Sequence, residues 1–403
     1  MPTRLPLIFI MITVVIDAMG IGLIMPVMPD LIRDVGGGSL ADAAIWGGIL
    51  ATSFAVMQFI FGPVIGNLSD RFGRRPVLLI SLLVMAADYL VMALAGSLWL
   101  LLAGRIVGGI SASTQSTAGA FIADISSPAE KARRFGLIGA AFGMGFVFGP
   151  LLGGLLGEYG ARAPFYAAAG LALANMAFGF FVLPETVTDR IRRPLRWARA
   201  NPLGAFAHVG KLPGLGRLLT LFFFYQVAFF IYPAIWAYFT QARFGWTPAM
   251  TGLSLATFGI SVALVQGGLI GLILKWLGDR GTVFYGLIFN FVSFLAVALI
   301  ANGWVVLILA PITALGAVVT PALQGMMSRR VPDDSQGELQ GVLSSVGALG
   351  MIISPLLMTQ TFAAFTAPDA PVQFPGAPFF LSAALMVLCA LIFVTRRRAP
   401  APA

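Results

Sequence analysis

The sequence predicts an all-α integral membrane protein, with twelve transmembrane helices arranged as two pseudo-symmetric six-helix bundles. Of its 403 residues, 59% are hydrophobic and only 10% are charged, whereas roughly a quarter of an ordinary soluble domain is charged. Twelve separate stretches are apolar and long enough to cross a bilayer, and the second half of the chain repeats features of the first. A chain of this composition cannot cover a surface that faces water.

The twelve apolar stretches approach or exceed the ~20 residues that a helix needs to cross the hydrocarbon core. We call them spans 1 to 12 in chain order. They cover residues 6–27, 43–67, 77–95, 98–122, 135–157, 163–183, 217–241, 249–274, 281–300, 303–327, 337–362 and 377–396.

The longest polar interval lies between spans 6 and 7. It divides the chain into a first half, residues 1–183, a basic linker, residues 184–216, and a second half, residues 217–403. The linker contains four prolines and has a strongly basic middle. We favour a cytoplasmic tether that its charge holds near anionic lipid over a regulatory site.

The two halves repeat each other at a spacing that subtraction reveals. Pro150 and Pro355 are 205 positions apart, and glycines and leucines around them keep the same offset. Asp70 and Arg71 match Asp279 and Arg280 at an offset of 209. A parallel repeat implies a pseudo-two-fold axis along the membrane normal, with a substrate path between the halves.

The net charge of +9 does not indicate nucleic-acid binding, because the basic residues form no single patch along the chain. Instead, 21 of the 25 Lys and Arg residues fall in alternate loops on one side of the predicted membrane. By the positive-inside rule that side is cytoplasmic, and so are both termini. The lipid bilayer is therefore the expected surrounding.

Three charged residues lie well inside the predicted spans, namely Asp17, Asp88 and Arg105. Each costs roughly 2.5 to 3.5 kcal/mol at the bilayer centre, so each needs a reason to be there. At a rise of about 1.5 Å per residue they lie at similar depths and could meet at mid-membrane. We interpret them as a proton-responsive or substrate-charge site, with a structural ion pair as the alternative.

Span 7 is rich in aromatic residues, which suit the stacking of a flat, apolar ligand, although contacts with lipid or other helices explain such a run equally well. The candidate pocket residues there are Tyr225, Phe229, Tyr232 and Trp236. Uncharged polar groups inside spans can orient a ligand or bond neighbouring helices. These are Gln58, Gln226, Gln266 and Asn290.

Three segments of the chain combine glycines with charged residues or proline in distinctive motifs. The loop Gly66-Asn-Leu-Ser-Asp70-Arg71-Phe-Gly73-Arg74-Arg75-Pro-Val, between spans 2 and 3, resembles the signature loop of the major facilitator superfamily. Span 5 contains Gly145-Phe-Val-Phe-Gly149-Pro150-Leu-Leu-Gly153-Gly154, which is similar to its antiporter motif. Span 4 contains Gly104-Arg105-Ile-Val-Gly108-Gly109, which is similar to its proton-linked arginine motif.

Within that superfamily, the segment from Asp17 to Pro26, the signature loop, Arg243-Phe-Gly-Trp246 and Pro321-Ala-Leu-Gln-Gly325 resemble the tetracycline/proton antiporters. The resemblance implies a twelve-helix exporter of the bacterial inner membrane that exchanges a cytoplasmic drug for external protons. It also implies a monomer that needs no cofactor, because the proton gradient supplies the energy.

The resemblance further implies coupling or substrate roles for Asp17, Asp88 and Arg105, and a gating role for the signature loop. In the superfamily the aspartate of that loop, here Asp70, faces the N-terminus of span 11, and one arginine pairs with an acid that ends span 4, here Asp124. A carboxylate is favoured at a helix N-terminus, and an arginine–carboxylate pair makes a latch. The span 5 glycines would serve either close packing or gating.

Two departures from the tetracycline/proton antiporters stand out. Those antiporters carry an aspartate in span 9 where this chain has Asn290, and a histidine in span 8 where it has Val262. An amide cannot release a proton, so coupling would rest on Asp17 and Asp88, and the drug specificity stays open.

The leading hypothesis is a proton-coupled exporter of amphipathic, partly aromatic small molecules, with tetracycline-like drugs among the candidates. The alternative is a facilitator, importer or symporter of an endogenous anionic or zwitterionic metabolite, which the missing acid in span 9 favours. A membrane enzyme lacks support, because the only histidine, His208, lies in the linker, and no acid pair has metal-ligand spacing. No metal site is expected.

Overall fold

The computed structural model describes residues 4–187, 201–202, 204, 214–332 and 335–395. Across these residues the chain forms helices and no strand, which confirms the all-α fold class. Most of the predicted linker, including His208, and the basic run from Arg396 to Arg398 lie outside the described residues. The helix of span 6 ends at Val182 and that of span 7 begins at Gly216, while the domain boundaries stay a prediction.

The first half forms spans 1 to 6. Their helices are Arg4–Ile24 and Met28–Gly36 for span 1, joined by the 3₁₀ turn Met25–Val27; Leu40–Phe72 for span 2; Arg74–Leu94 for span 3; Leu98–Ser111 and Thr114–Ile125 for span 4; Pro128–Gly157 for span 5; and Ala163–Val182 for span 6.

The second half forms spans 7 to 12. Their helices are Gly216–Phe229 and Ile231–Phe244 for span 7; Pro248–Leu264, the π-helical turn Val265–Leu269 and the start of Ile270–Leu299 for span 8; the remainder of Ile270–Leu299 for span 9; Gly303–Thr313, the 3₁₀ turn Ala314–Val318 and Val319–Ser328 for span 10; Gln336–Ala364 for span 11; and Ala377–Val394 for span 12.

Ten helical segments of the described chain are long and apolar enough to cross a membrane. One of them, Pro248–Leu299, has 52 residues and holds two crossings, divided at Gly278, where φ is 63° and ψ is 175°. Span 4 is missing from the ten because Ala112 and Ser113 split it into two pieces of 14 and 12 residues. The described helices are therefore consistent with the twelve predicted crossings.

Local sequence signals explain where several helices begin. Spans 2 and 5 each open with a capping box, in which Ser39 pairs with Asp42 and Ser127 pairs with Glu130. Hydrogen bonds from the Ser127 side chain and backbone hold the pKa of the Glu130 carboxyl below its ordinary value. Both boxes satisfy amide groups that a helix start leaves without intrahelical partners.

We call the end of the bundle that carries the signature loop the basic side, and the other end the opposite side. On the opposite side spans 5 and 8 pack so closely that Gly154 and Gly252 leave no room for a Cβ atom. A Cβ on Gly259 would lie 3.0 Å from Val147. Nearer the basic side, further glycines of the two spans face open space, namely Gly136, Gly139, Gly143, Gly267, Gly268 and Gly271. The halves are thus closed together on the opposite side and diverge toward the basic side.

Candidate functional site

The structure pairs Asp88 of span 3 with Arg105 of span 4 inside the first half. Both residues are buried, and an Arg105 Nη2 group donates a hydrogen bond to Asp88 Oδ2. Gly108 allows this approach, because a Cβ there would lie 2.5 Å from the same carboxylate oxygen. The guanidinium also lies over the Phe54 ring of span 2, with its Cζ 4.7 Å from the ring centroid. The pair therefore joins three helices inside the first half.

The pair is not fully satisfied. Asp88 Oδ1 and Arg105 Nε are buried and have no hydrogen-bond partner among the described residues. Buried polar groups are usually hydrogen-bonded, and exceptions often mark functional sites. The two atoms can accept from and donate to a third group.

Asp17, the third charged residue, lies on span 1 outside this pair. Its side chain is half-buried, interacts with the Thr114 side chain and lies near Tyr89. Within the described chain it forms no ion pair with Arg105. Span 1 therefore presents a separate carboxylate next to the interruption of span 4.

The polar residues of spans 2, 3, 8 and 9 hold the interruptions of spans 4 and 10. Gln58 Nε2 donates to the Ala112 carbonyl at 3.1 Å, and Gln266 Nε2 donates to the Ala317 carbonyl at 3.2 Å. Asn290 Nδ2 donates to the Gly316 carbonyl at 2.8 Å and also to the Gly286 carbonyl at 2.8 Å.

In the first half, a contact between two hydroxyl groups takes the place of the amide–carbonyl contact that Asn290 makes. At the repeat offset of 209, Asn290 corresponds to Ser81, whose hydroxyl lies 3.4 Å from that of Ser113. Each half therefore uses one glutamine and one shorter polar side chain at the break of its fourth helix. Carbonyls freed by a break inside the membrane need such partners.

A cavity of about 220 Å³ lies between the two halves, where spans 2 and 11 diverge toward the basic side. Its polar lining groups are Gln58, Ser344 and Ser345. Its apolar lining residues are Ala55, Phe59, Pro63, Pro202, Ala348 and Met351. A lining of this kind suits a solute that is apolar over most of its surface and polar at a few points.

The aromatic residues of span 7 do not line this cavity. Tyr225, Tyr232 and Trp236 are buried inside the second half, where Trp236 Nε1 donates to Ser254 Oγ at 2.8 Å. Tyr232 and Trp236 border a cavity of only about 10 Å³, which has room for a single water molecule. Phe229 is half-buried and stacks on Tyr225 with ring centroids 5.6 Å apart.

Gln226 is the span 7 residue that faces the other candidate elements. Its side chain approaches Gly347 and Gly350 of span 11, whose absent Cβ atoms would lie 3.7 and 2.9 Å from it. Span 11 also supplies Ser344 and Met351 to the cavity. Gln226 therefore lies against a cavity-lining helix.

Arg74 is the centre of the signature loop. Its guanidinium contacts Asp70 Oδ1 at 2.6 Å and Asp124 Oδ2 at 3.1 Å. Asp70 thus pairs within the first half in this state. In the second half, Asp279 pairs with Arg329. Arg329 lies 205 positions after Asp124, at the corresponding place in the repeat, and carries the opposite charge. Each half ties its own loop to the end of its fourth helix.

The other loop residues differ in their surroundings. Arg75 Nη2 donates to the Phe180 carbonyl of span 6 at 2.6 Å, while its guanidinium lies over the Phe180 ring. Arg71 is exposed and lies over the Phe72 ring. Gly66 lies in the last turns of the span 2 helix and faces open space.

Glu185 is a functional candidate that sequence reasoning missed. Its carboxylate accepts from the backbone N–H of Arg74 at 2.9 Å and of Arg75 at 3.2 Å, at the N-terminus of span 3. Gly73, at φ 114° and ψ 153°, leaves room for that carboxylate. No local sequence pattern predicts this contact, because about 110 residues separate Glu185 from its partners. The start of the linker is thus fastened to the signature loop.

The span 5 motif packs against both halves. Gly145, Gly149 and Gly153 lie against span 1 backbone at Val15, Met19 and Leu23, and the ring of Pro150 contacts Gly22. Gly154 faces the other way, toward Pro248 and Gly252 of span 8. One helix therefore uses small residues to meet span 1 within its half and span 8 across the interface.

Comparison with known proteins gives a consistent result. The family model of the Major Facilitator Superfamily matches residues 10–355. The class C tetracycline resistance protein of Escherichia coli is 42% identical over 384 residues, which are 95% of this chain and 95% of that protein.

Solved structures give the same fold. The crystal structure of the human organic anion transporter MFSD10 (TETRAN) has a TM-score of 0.70 at 25% identity, covering 98% of this chain and 100% of that chain. A bacterial homolog of the human lysosomal transporter Spinster has a TM-score of 0.78 at 16% identity, covering 96% and 95%. The second likeness bears on the fold alone.

Proposed function

Because this chain belongs to the tetracycline-efflux type of the major facilitator superfamily, and is thus a transporter and not an enzyme, we propose that it exports amphipathic, partly aromatic small molecules in exchange for protons. The observation that carries the proposal is the buried Asp88–Arg105 pair with its unpaired acceptor and donor. The two halves would rock about the cavity between them, so that it opens to one side at a time.

We place the basic side in the cytoplasm of a bacterial cell, with the protein in the inner membrane as a monomer and both termini inside. The distribution of Lys and Arg supports this orientation, because the positive-inside rule places the more basic side in the cytoplasm. In that orientation the divergence of the halves toward the basic side corresponds to an inward-open state, and the cavity between spans 2 and 11 would receive solute from the cytoplasm.

Asp88 is the proposed proton carrier of the pair. A proton on its carboxylate would cancel the charge that faces Arg105, whose guanidinium stays charged and would then accept another partner. Asp17, half-buried beside Thr114, is the second carboxylate able to take a proton. Proton uptake from outside and release to the cytoplasm would drive solute outward, with no cofactor involved.

The solute class follows from the cavity lining. Two hydroxyls and one amide face mainly apolar side chains, so the ligand would be amphipathic. Tetracyclines are the first compounds to test, given the name of the class C relative. Asn290 and Val262 stand where tetracycline/proton antiporters carry titratable groups, so a different spectrum of compounds is consistent with the proposal.

Drug resistance in a pump-deficient bacterial host tests the proposal. We expect the wild-type chain to raise the minimum inhibitory concentration of at least one amphipathic compound, and Asp88→Asn to abolish the effect at equal expression. Asp34→Asn, which breaks an exposed ion pair with Arg162 within the first half, is the matched control and should keep resistance. Full resistance in Asp88→Asn cells would contradict proton coupling through the pair.

A second candidate function is uptake or facilitated diffusion of an anionic or zwitterionic metabolite that binds Arg105. Asn290 favours it, because an amide that stands where tetracycline/proton antiporters carry an aspartate cannot release a proton. Such a protein would exchange labelled metabolite across vesicles at the same rate with and without a pH gradient. It would protect the host against no compound in the panel.

A further inference from the structure

The two halves are joined on the opposite side by directional contacts as well as by packing. Gln241 Nε2 of span 7 donates to Asp30 Oδ1 of span 1 at 2.7 Å. The Ala249 backbone N–H of span 8 donates to Glu158 Oε1, at the end of span 5, at 3.1 Å. Both bonds cross between the halves, so both must break if this side opens.

Glu158 completes the N-terminus of span 8. The first turn of that helix has free backbone N–H groups, and Pro248 at its first position has none to offer. The Thr247 side chain accepts from Met250 N–H within the same half. The Ala249 N–H is left for Glu158, whose negative charge suits the positive end of the helix. Span 8 therefore completes its first turn with a group from the other half.

The Asp30–Gln241 contact is incompletely satisfied. Gln241 Oε1 and the Tyr238 hydroxyl are buried without a hydrogen-bond partner among the described residues. The Tyr238 hydroxyl lies against Gly47 of span 2, across the interface. Buried polar atoms without partners cost free energy, and opening would return both of them to water. The closed contact is therefore only marginally stable, so it can break when this side opens.

We propose that Glu158 and Gln241 are positioning residues of an outer latch, which holds the opposite side closed while the basic side is open. The latch sets the balance between the inward-open and outward-open states and touches neither solute nor the Asp88–Arg105 pair. The inference rests on the alternating access of the proposed function, but not on its solute or its proton.

A single-cysteine reporter measures the state of this side. Thr359 of span 11 is fully buried and packs against Gly48 of span 2 across the interface. Thr359→Cys, in a background with Cys389→Ala, places a thiol that a membrane-impermeant maleimide reaches only when the opposite side opens. Labelling rates are measured in spheroplasts without drug and without an imposed pH gradient, and labelling after denaturation confirms that the thiol is reactive.

We expect Glu158→Ala and Gln241→Ala each to speed labelling about three- to tenfold, as the loss of one modest hydrogen bond or helix-end charge implies. Glu158→Asp keeps the carboxylate and should restore a rate near that of the parent. Asp34→Asn breaks an ion pair on the same side but within one half, so it should leave the rate unchanged. Only protein that elutes as one folded species is compared.

Unchanged labelling in both alanine variants would overturn the latch, and so would an equal acceleration in Asp34→Asn, which would indicate general loosening. Gln241→Ala provides an independent measurement if Glu158→Ala fails to fold. Because the assay needs no drug, failure of the latch is distinct from failure of the proposed export, which the resistance test addresses.

Discussion

Asp88 and Arg105 each depend on the other, because both charges are buried inside the first half. Removing one charge leaves the other uncompensated, so we expect Asp88→Asn and Arg105→Gln, each alone, to lower the free energy of unfolding by about 3 to 5 kcal/mol. The double variant Asp88→Asn/Arg105→Gln replaces the ions with neutral amides and should recover part of that loss. Denaturation in detergent, read as a double-mutant cycle, measures the coupling.

The cycle also separates a structural pair from a functional one. If the double variant regains stability and still fails to transport, the charges serve the transport cycle. A double variant that transports like the wild type would show that the pair has only a structural role.

Alanine substitutions at two glycines of the signature loop are predicted to have different effects on the stability of the protein. Gly73 has a backbone conformation that is essentially restricted to glycine, and a Cβ there would overlap the Glu185 carboxylate. Gly73→Ala should therefore destabilise the protein by about 1 to 3 kcal/mol. Gly66 lies within a helix and faces open space, so Gly66→Ala should be neutral or slightly stabilising. Equal losses in thermal unfolding would contradict this account of the loop.

At the residue scale, the sequence predicts the chemical type of the site better than its contacts. Membrane hydropathy singles out Asp17, Asp88 and Arg105, because charge in a span is rare. It does not indicate that Asp17 lies outside the pair, since depth along a helix says nothing about rotation around it. Glu185 escaped notice because its partners are remote in the chain. The burial of Tyr232 and Trp236 inside the second half is not predicted either, because composition alone does not distinguish a packed aromatic face from an open one.

At the scale of elements, the interruptions of spans 4 and 10 are the features to test. Asn290→Ala frees the Gly316 carbonyl and Gln58→Ala frees the Ala112 carbonyl, so each should cost about 1 to 3 kcal/mol of unfolding free energy. Ser344→Ala changes a cavity hydroxyl instead, and should alter transport of the solute with little effect on stability. A stable Asn290→Ala variant with changed solute preference would instead assign Asn290 to the solute site.

Hydropathy predicts the twelve crossings and their approximate ends, because each crossing must bury its backbone within its own helix. It does not predict the breaks. Ala112 and Ser113 carry no proline or glycine signal, and their geometry depends on Gln58 and on the neighbouring spans. The turn at Gly278 is different, because a positive φ there is natural for glycine and divides spans 8 and 9.

For the whole molecule, the internal repeat predicts the architecture of two six-helix bundles. The distribution of charge predicts that the two halves have different roles in transport. The family model and the relatives confirm the predicted family. The first half holds the charged residues of the membrane core, and the second half offers amides and a packed aromatic interior. Which side is open depends on small differences between contacts at the two ends, such as Glu158 with span 8, and no sequence pattern resolves such differences.

The most direct measurement of the central claim is solute uptake into inverted membrane vesicles under an imposed pH gradient, with the interior acidic. For a compound identified by the resistance test, we predict uptake by the wild type that collapses when the gradient is dissipated. Asp88→Asn should show no gradient-driven uptake, whereas the Asp34→Asn control should match the wild type. Uptake that is indifferent to the gradient, or that persists in Asp88→Asn, would contradict proton-coupled export through the Asp88–Arg105 pair.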